Sequence, residues 1–274
     1  MLHFGTGGYP HSTKGKGIKN ALETIKQLGL DALELELVRQ VRYKKEEYEE
    51  ASKIAKTYGI KLTIHGPYYI NLNSETPEKN QRSREMIEET ARAASVVGAH
   101  SITFHPGIYR NLPAEEVLSI IASELEIAVK NIRKEHIEVQ IRPELMGKPA
   151  QFGALEELIL LSKKIPGVFP CIDIAHYHAR LNGKMNTLKE FRTLLETLAK
   201  ELGKQILSDL HIHISGIQYG PKGEIKHLNL KDSDLRYKDF LKALKEYNAG
   251  GVVICESPNL EEDACLLKEC YYAL

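Results

Sequence analysis

Cysteine is scarce in this chain, and what there is does not pair. The four residues are Cys171, Cys255, Cys265 and Cys270, and no two form a CxxC. That spacing argues against a thiolate-built zinc site and offers no disulfide framework. Cys171 and Cys255 fall inside apolar runs and read as small core residues. Net charge is lacking too, because 37 Lys and Arg are balanced by 37 Asp and Glu. A balanced chain carries no general basic coat for nucleic acid, although a local basic groove is compatible with it. No run approaches the roughly 18 apolar residues of a membrane span. The opening LHFGTGG has neither the basic region nor the apolar stretch of a secretory leader. A soluble, cytoplasmic protein that does not engage membranes is expected. No Pro-, Gly- or Ser-rich linker, low-complexity tract or short repeat interrupts the sequence, so one domain over residues 1–274 is expected.

What the chain does have is a regular alternation of short apolar runs and amphipathic stretches. Strands are predicted near 2–6, 32–37, 61–66, 101–105, 138–144, 169–174, 209–215 and 251–256. Helices are predicted near 17–28, 44–57, 80–97, 114–134, 153–164, 187–202, 235–247 and 260–270. Gly29, Gly59 and Gly98 follow the first three helices, where a left-handed residue closes a helix; Thr187 and Asp234 are candidate starts of later ones. Eight strand–helix pairs predict an α/β chain folded as a (β/α)8 TIM barrel, with an open doubly wound sheet as the alternative. The segment GTGGYPHSTKGKG at 5–17 matches neither the Walker nor the dinucleotide pattern and reads as the first barrel loop.

Histidines and carboxylates recur at or near the ends of these runs: KLTIHGP (His65), SITFHPG (His105), EVQIRPE (Glu144), FPCIDIAHYH (Asp173, His176), LHIHISG (His213) and VVICESP (Glu256). A barrel gathers its strand ends on one face and builds its active site there. Imidazole and carboxylate donors of this kind suit Zn²⁺, and Mn²⁺ accepts them as well. His227, in the long loop after the seventh strand, can fold back over the same face. Together these donors exceed one four-coordinate site, which points to two or three ions. Each has a bland reading beside it. A single strand-end histidine is as readily a structural hydrogen-bonding residue, and Glu144 can pair with Arg142 instead. Strand alternation points His211 and His213 to the same side, and His213, nearer the strand end, is the chosen ligand. His178 is the weaker neighbour of His176.

At HGPYYINL (65–72), FHPG (104–107), CIDIAH (171–176) and ESP (256–258) the chain resembles the endonuclease IV family of apurinic/apyrimidinic endonucleases, within the wider xylose-isomerase-like barrel group. The resemblance spans nearly the full length. It implies a trinuclear zinc cluster that hydrolyses DNA 5′ to an abasic site in base excision repair, leaving a 3′-hydroxyl and a 5′-deoxyribose phosphate. Carried onto this chain, it implies that His65 and His105 bind one metal and that Glu144 bridges to the next. Asp173, His213 and Glu256 complete that second site, and His176 and His227 bind the third. Glu144 is also the expected catalytic organiser. Tyr68 matches an aromatic that contacts abasic DNA, Tyr69 stands beside it, and Arg39 and Arg42 lie in the β2 loop where the family contacts DNA. The implied partner is damaged double-stranded DNA, met by a monomer.

Three segments depart from the family pattern. The fifth-strand segment reads PELMG and the seventh-strand segment HISG. The Asp two positions before the last histidine is replaced by Ile225, in GEIKH. Glu224 adjoins it but faces the other way on a regular extended strand, and Asp232 or Asp234 reach the site only by a different loop path. A divalent-metal sugar isomerase or epimerase, using Glu144, Asp173, His213 and Glu256 around one ion, is the first rival. A catalytically weak DNA-binding repair protein is the second.

Overall fold

The structure, a computed structural model, describes all of residues 1–274. In chain order the elements are β1 (Leu2–Gly7), α1 (Ile18–Gln27), β2 (Ala32–Glu36), α2 (Lys45–Tyr58), β3 (Lys61–His65), α3 (Pro77–Val97), β4 (Ser101–Phe104), β5 (Gly107–Ile108), α4 (Ala114–Lys134), β6 (Gln140–Pro143), β7 (Gln151–Phe152), α5 (Leu155–Lys164), β8 (Cys171–Asp173), α6 (Ile174–Arg180), α7 (Leu188–Leu202), β9 (Leu210–Ile214), β10 (Gly216–Gly220), β11 (Gly223–Leu228), α8 (Tyr237–Glu246), β12 (Gly251–Cys255) and α9 (Glu261–Ala273). Eight of the strands form one parallel sheet in the order β6-β4-β3-β2-β1-β12-β9-β8. Parallel bridges from Ile141 to Val168 and from Glu144 to Cys171 join its two ends, so the sheet closes as a (β/α)8 TIM barrel. No helix is long and apolar enough to cross a membrane.

The apolar core lies between strands and helices. Phe4, Leu33, Leu35, Ile64, Ile102, Phe104, Ile141, Ile212 and Val253 belong to one buried cluster with helix residues such as Leu22, Ile87, Leu125 and Leu244. Burying each large side chain contributes about 1.5–3 kcal/mol. Alternate strand positions point the other way, into the barrel, and many of these are polar: Glu34, Thr63, Ser101, Arg142, Asp173, His211 and His213 are all buried. Ala32, Val252 and Ile254 form a separate small apolar cluster. The register keeps the strand ends level, with Glu36 beside His65 and Asp173 beside His213.

Local chemistry sets most element ends. Gly59 and Gly98 close α2 and α3 in the left-handed region, and Gly29 has a φ of 70° just past α1. Thr187 caps α7, accepting from the Glu190 N–H while the Glu190 carboxylate returns to the Thr187 backbone. Asp234 does not start α8, whose cap is Arg236. It accepts instead from the Tyr219 hydroxyl at 2.7 Å and lies 3.1 Å from His178 Nε2. Three features go beyond the predicted elements, the smallest being the antiparallel pair β5–β7. Asp173 accepts the His176 N–H at 2.7 Å and so starts α6 directly at the end of β8. The stretch read as a loop after the seventh strand is an antiparallel hairpin, β10–β11.

Candidate metal centre

Glu144, just past β6, is the hub of the face formed by the strand C-termini. Its Oε2 lies 3.2 Å from His65 Nε2 and 3.2 Å from His105 Nε2. Its Oε1 lies 3.2 Å from His176 Nδ1 and 3.3 Å from His213 Nδ1. Burial opposes its charge, but the four imidazoles, His105 first, hold it well below the usual carboxylate range. Arg142 does not pair with it. That guanidinium turns toward the opposite end of the barrel, where it donates to Gln140 and to the carbonyls of Pro170 and Asp209.

The predicted donors fall into three adjoining groups, and within each group the ligand atoms lie within 4.8 Å of one another: His65, His105 and Glu144; Glu144, Asp173, His213 and Glu256; and Asp173, His176 and His227. Glu144 belongs to the first two and Asp173 to the last two. Hydrogen bonds fix which nitrogen faces the middle. His65 Nδ1 donates to the Gly66 carbonyl at 2.7 Å, leaving Nε2 toward Glu144. His176 Nδ1 donates to the Leu145 carbonyl at 3.0 Å, and His227 Nδ1 to the Glu256 carbonyl at 3.2 Å. The two remaining Nε2 atoms then face each other at 3.3 Å. Two lone pairs that close require a proton or a cation between them. Asp173 Oδ2 is buried with no hydrogen-bond partner, which is costly unless something positive meets it. This donor set fits hard or borderline divalent cations.

Two carboxylates that sequence reasoning overlooked support the cluster from β2. Glu34 is buried in the barrel, with Oε1 2.8 Å from His213 Nε2 and Oε2 2.9 Å from His211 Nε2. Both approaches lie off the ring N–H axis, so they act as close electrostatic contacts rather than aligned hydrogen bonds. Thr63 Oγ1 donates to Glu34 Oε2 at 2.8 Å. Glu36 follows two residues later on the same face, and burial, reinforced by Glu34 and Glu256, pushes its carboxyl up to about 7. The available signal was ALELE, two acids at strand alternation inside an apolar run.

His211 is no ligand of the cluster. It lies deeper in the barrel, 3.0 Å from Ser101 Oγ, and burial brings its pKa down to about 4. His178 is held away by the Lys184 carbonyl and Asp234. Burial pushes the Cys171 thiol up to about 12, in keeping with a core role. Ile225 is 58% exposed and points away from the site. The expectation that Glu224 faces away with the wrong parity is overturned. A register shift lets β11 carry one residue more than β10, and Glu224 lines the same cavity as His176 and His227.

That cavity, of about 220 Å³, is also bordered by Tyr68, Met146, Lys148 and Gln151. Tyr68 stacks on His105 at 5.2 Å between ring centroids, and its hydroxyl donates to Glu36 at 3.4 Å. Tyr69 is 69% exposed beside it. Arg39 and Arg42 are exposed and are not drawn into the cluster. Arg42 instead borders a separate cavity of about 620 Å³ with Tyr9, Tyr43 and Lys44.

Comparison with known proteins agrees with this architecture. The family model described as "Xylose isomerase-like TIM barrel" matches residues 22–270. The chain is 41% identical to an uncharacterized protein of Methanocaldococcus jannaschii, covering 100% of this chain and 98% of that one. It is 27% identical to a "probable endonuclease 4" of Aster yellows witches'-broom phytoplasma, covering 81% and 78%. Among solved structures, endonuclease IV of Thermus thermophilus superposes with a TM-score of 0.77 at 20% identity, over 99% of this chain and 98% of that one. A D-tagatose 3-epimerase-like protein gives 0.70 at 19%, over 94% and 93%. On the extent of the family match, the chain belongs to the xylose isomerase-like TIM barrel family.

Proposed function

We propose that this protein is a metal-dependent endonuclease that hydrolyses the DNA phosphodiester 5′ to an abasic site, acting as a monomer in base excision repair. The observation that carries the reading is the sharing of Glu144 and Asp173 among three donor groups, which is more than one ion requires. The relatives named endonuclease 4 supply the reaction class. His65, His105 and Glu144 would hold one Zn²⁺, and Glu144, Asp173, His213 and Glu256 a second. His176 and His227 would hold a third, with Mn²⁺ as the alternative metal. The chemistry such ions supply is Lewis acidity, activating water and offsetting charge on the phosphoryl oxygens.

The chain's own residues do the positioning. Glu144 stays ionised and organises four imidazoles around itself. Tyr68 and Tyr69 present aromatic surface at the rim, where the gap left by a missing base makes extrusion of the lesion cheap. Arg39 and Arg42 offer charge to the flanking backbone, and Lys148 stands at the cavity edge.

The test is incision of a duplex containing one tetrahydrofuran abasic analogue, with bound metal quantified in the same sample. The analogue resists β-elimination, so a nick with a 3′-hydroxyl reports hydrolysis. Incision lost on Glu144→Gln is expected. No incision by protein with a filled multinuclear site would overturn the reading.

A second reading rests on one specific group. Glu144, Asp173, His213 and Glu256 suffice for a single ion, as a sugar isomerase or epimerase would need. One tightly bound metal per chain together with ketose turnover would put that reading first.

A further inference from the structure

The hairpin β10–β11 carries a feature that the donor groups do not explain. Gly216, Ile217 and Gln218 pair with Leu228, His227 and Lys226, but Tyr219 pairs with Glu224, leaving Ile225 without a partner. One extra residue on a strand inverts the facing of everything beyond it. On a regular strand Glu224 and His227, three apart, would face opposite ways. With the bulge between them, both line the cavity beside His176, while Ile225 and Lys226 are exposed. Glu224 Oε2 lies 3.6 Å from His176 Nε2.

A second segment is shaped around this placement. Gly147 O accepts the Glu224 N–H at 3.1 Å, docking the start of β11 on the loop after β6. A Cβ built on Gly147 would stand 2.8 Å from Glu224 Cβ, 2.9 Å from Glu224 Oε2 and 3.0 Å from His176 Cδ2. Only a residue with no side chain lets the carboxylate and the imidazole share that space. Two departures from the endonuclease IV pattern, PELMG and GEIKH, therefore meet at one point.

We propose that Glu224 is the carboxylate ligand that completes the site of His176 and His227, brought in by the bulge at Ile225 and admitted by Gly147. Two observations besides Glu224 point to a cation. One is the pair of Nε2 atoms facing at 3.3 Å with both Nδ1 hydrogens already donated to carbonyls, a contact that a cation or a single proton satisfies. The other is the buried Asp173 carboxylate of the same donor group, whose Oδ2 has no hydrogen-bond partner. The inference rests on the multinuclear reading above and adds a ligand to it. The carboxylate thus arrives from the position next to the one that carries Asp in the endonuclease IV pattern.

The test counts metal rather than turnover. Full-length protein is loaded with Zn²⁺, freed of weakly held ions by dialysis, and assayed by elemental analysis, with circular dichroism as the check on folding. Glu224→Gln is expected to lose about one equivalent and keep the rest. Adding Ile225→Asp to that variant should not restore the lost ion, because position 225 points to solvent. Gly147→Ala, which leaves every donor in place, should lose the same equivalent. Full metal content in Glu224→Gln, or rescue by Ile225→Asp, would overturn the proposal. If the wild type still incises abasic DNA in that case, the functional reading stands and only the ligand assignment falls. A wild type that holds a single ion would overturn both.

Discussion

Glu34 Oε1 sits 2.8 Å from His213 Nε2, on the side of the ring away from the Glu144 carboxylate, which His213 Nδ1 faces at 3.3 Å. The imidazole is thus held from behind by one buried carboxylate and offered to the site through its other nitrogen. A carboxylate charge this close to the ring raises the basicity of a metal-binding imidazole. Glu34→Gln is expected to weaken the ion held by Glu144, Asp173, His213 and Glu256 by about 10–100-fold. Chelator competition checks it. Unchanged affinity would show that His213 needs no such support.

At the far end of the barrel, Arg142 is buried and donates to Gln140 and to the carbonyls of Pro170 and Asp209. Replacing it with Ala leaves those acceptors unpaired, and breaking a buried charged network typically costs about 3–5 kcal/mol. Urea unfolding of Arg142→Ala should show a loss of that order, with metal content per folded chain preserved. Loss of metal without loss of stability would mean that Arg142 acts on the site after all.

Most of this fold was legible because period and punctuation agree. Each barrel strand is a short apolar run, and the glycines after α1, α2 and α3 mark real helix ends. The grouping of the candidate donors was legible because a barrel turns strand ends into one surface. What escaped depended on local geometry that composition does not encode. Asp234 looks like a helix start but is drawn away by Tyr219 and His178. Glu34 hides inside ALELE, where a buried acid has no partner within its own strand and finds one on β9. Glu224 was misjudged because parity arguments assume an unbroken ladder, and one unpaired residue reverses them.

Acid should erode a contribution that Asp209 makes at the barrel floor. Asp209 is held below its ordinary range by hydrogen bonding to His100, then against partial burial by Gln140 and the Arg142 charge. A carboxyl whose folded pKa lies below its unfolded value of about 3.9 contributes stability above that value. The contribution is lost as pH falls through the folded pKa. The stability difference between wild type and Asp209→Asn should therefore be constant at neutral pH and shrink below about pH 4. Equilibrium unfolding across pH 2–7 checks it, and a constant difference throughout would remove Asp209 from the account.

Removing metal should cost stability as well as activity. Glu144, Asp173 and His213 are fully buried, and Asp173 Oδ2 has no hydrogen-bond partner, with only the His176 ring beside it at 3.3 Å. Ions that bind only the folded chain stabilise it by about 2.7 kcal/mol at a free concentration 100 times Kd. Melting after dialysis against a chelator should fall by several degrees and recover on adding Zn²⁺. A melting temperature indifferent to Zn²⁺ would argue that the histidines and acids neutralise one another without help.

The two rim tyrosines should separate DNA contact from site support. Tyr69 is 69% exposed, whereas Tyr68 stacks on His105 and donates to Glu36. Tyr69→Ala removes only surface, so it should leave metal content unchanged and weaken abasic-duplex binding by about 1–3 kcal/mol if a nucleobase or the lesion gap rests on it. Tyr68→Ala should weaken binding and also disturb His105, and Tyr68→Phe, which keeps the stacking, should recover most of the loss. Neither change alters charge, so the slope of affinity against salt should stay put. Arg39→Ala and Arg42→Ala should each lower that slope by about one if they meet phosphates. Tyrosine variants that bind abasic and intact duplexes alike, at wild-type affinity, would show that the aromatic rim does not read the lesion and would return the small cavity to a substrate of sugar size.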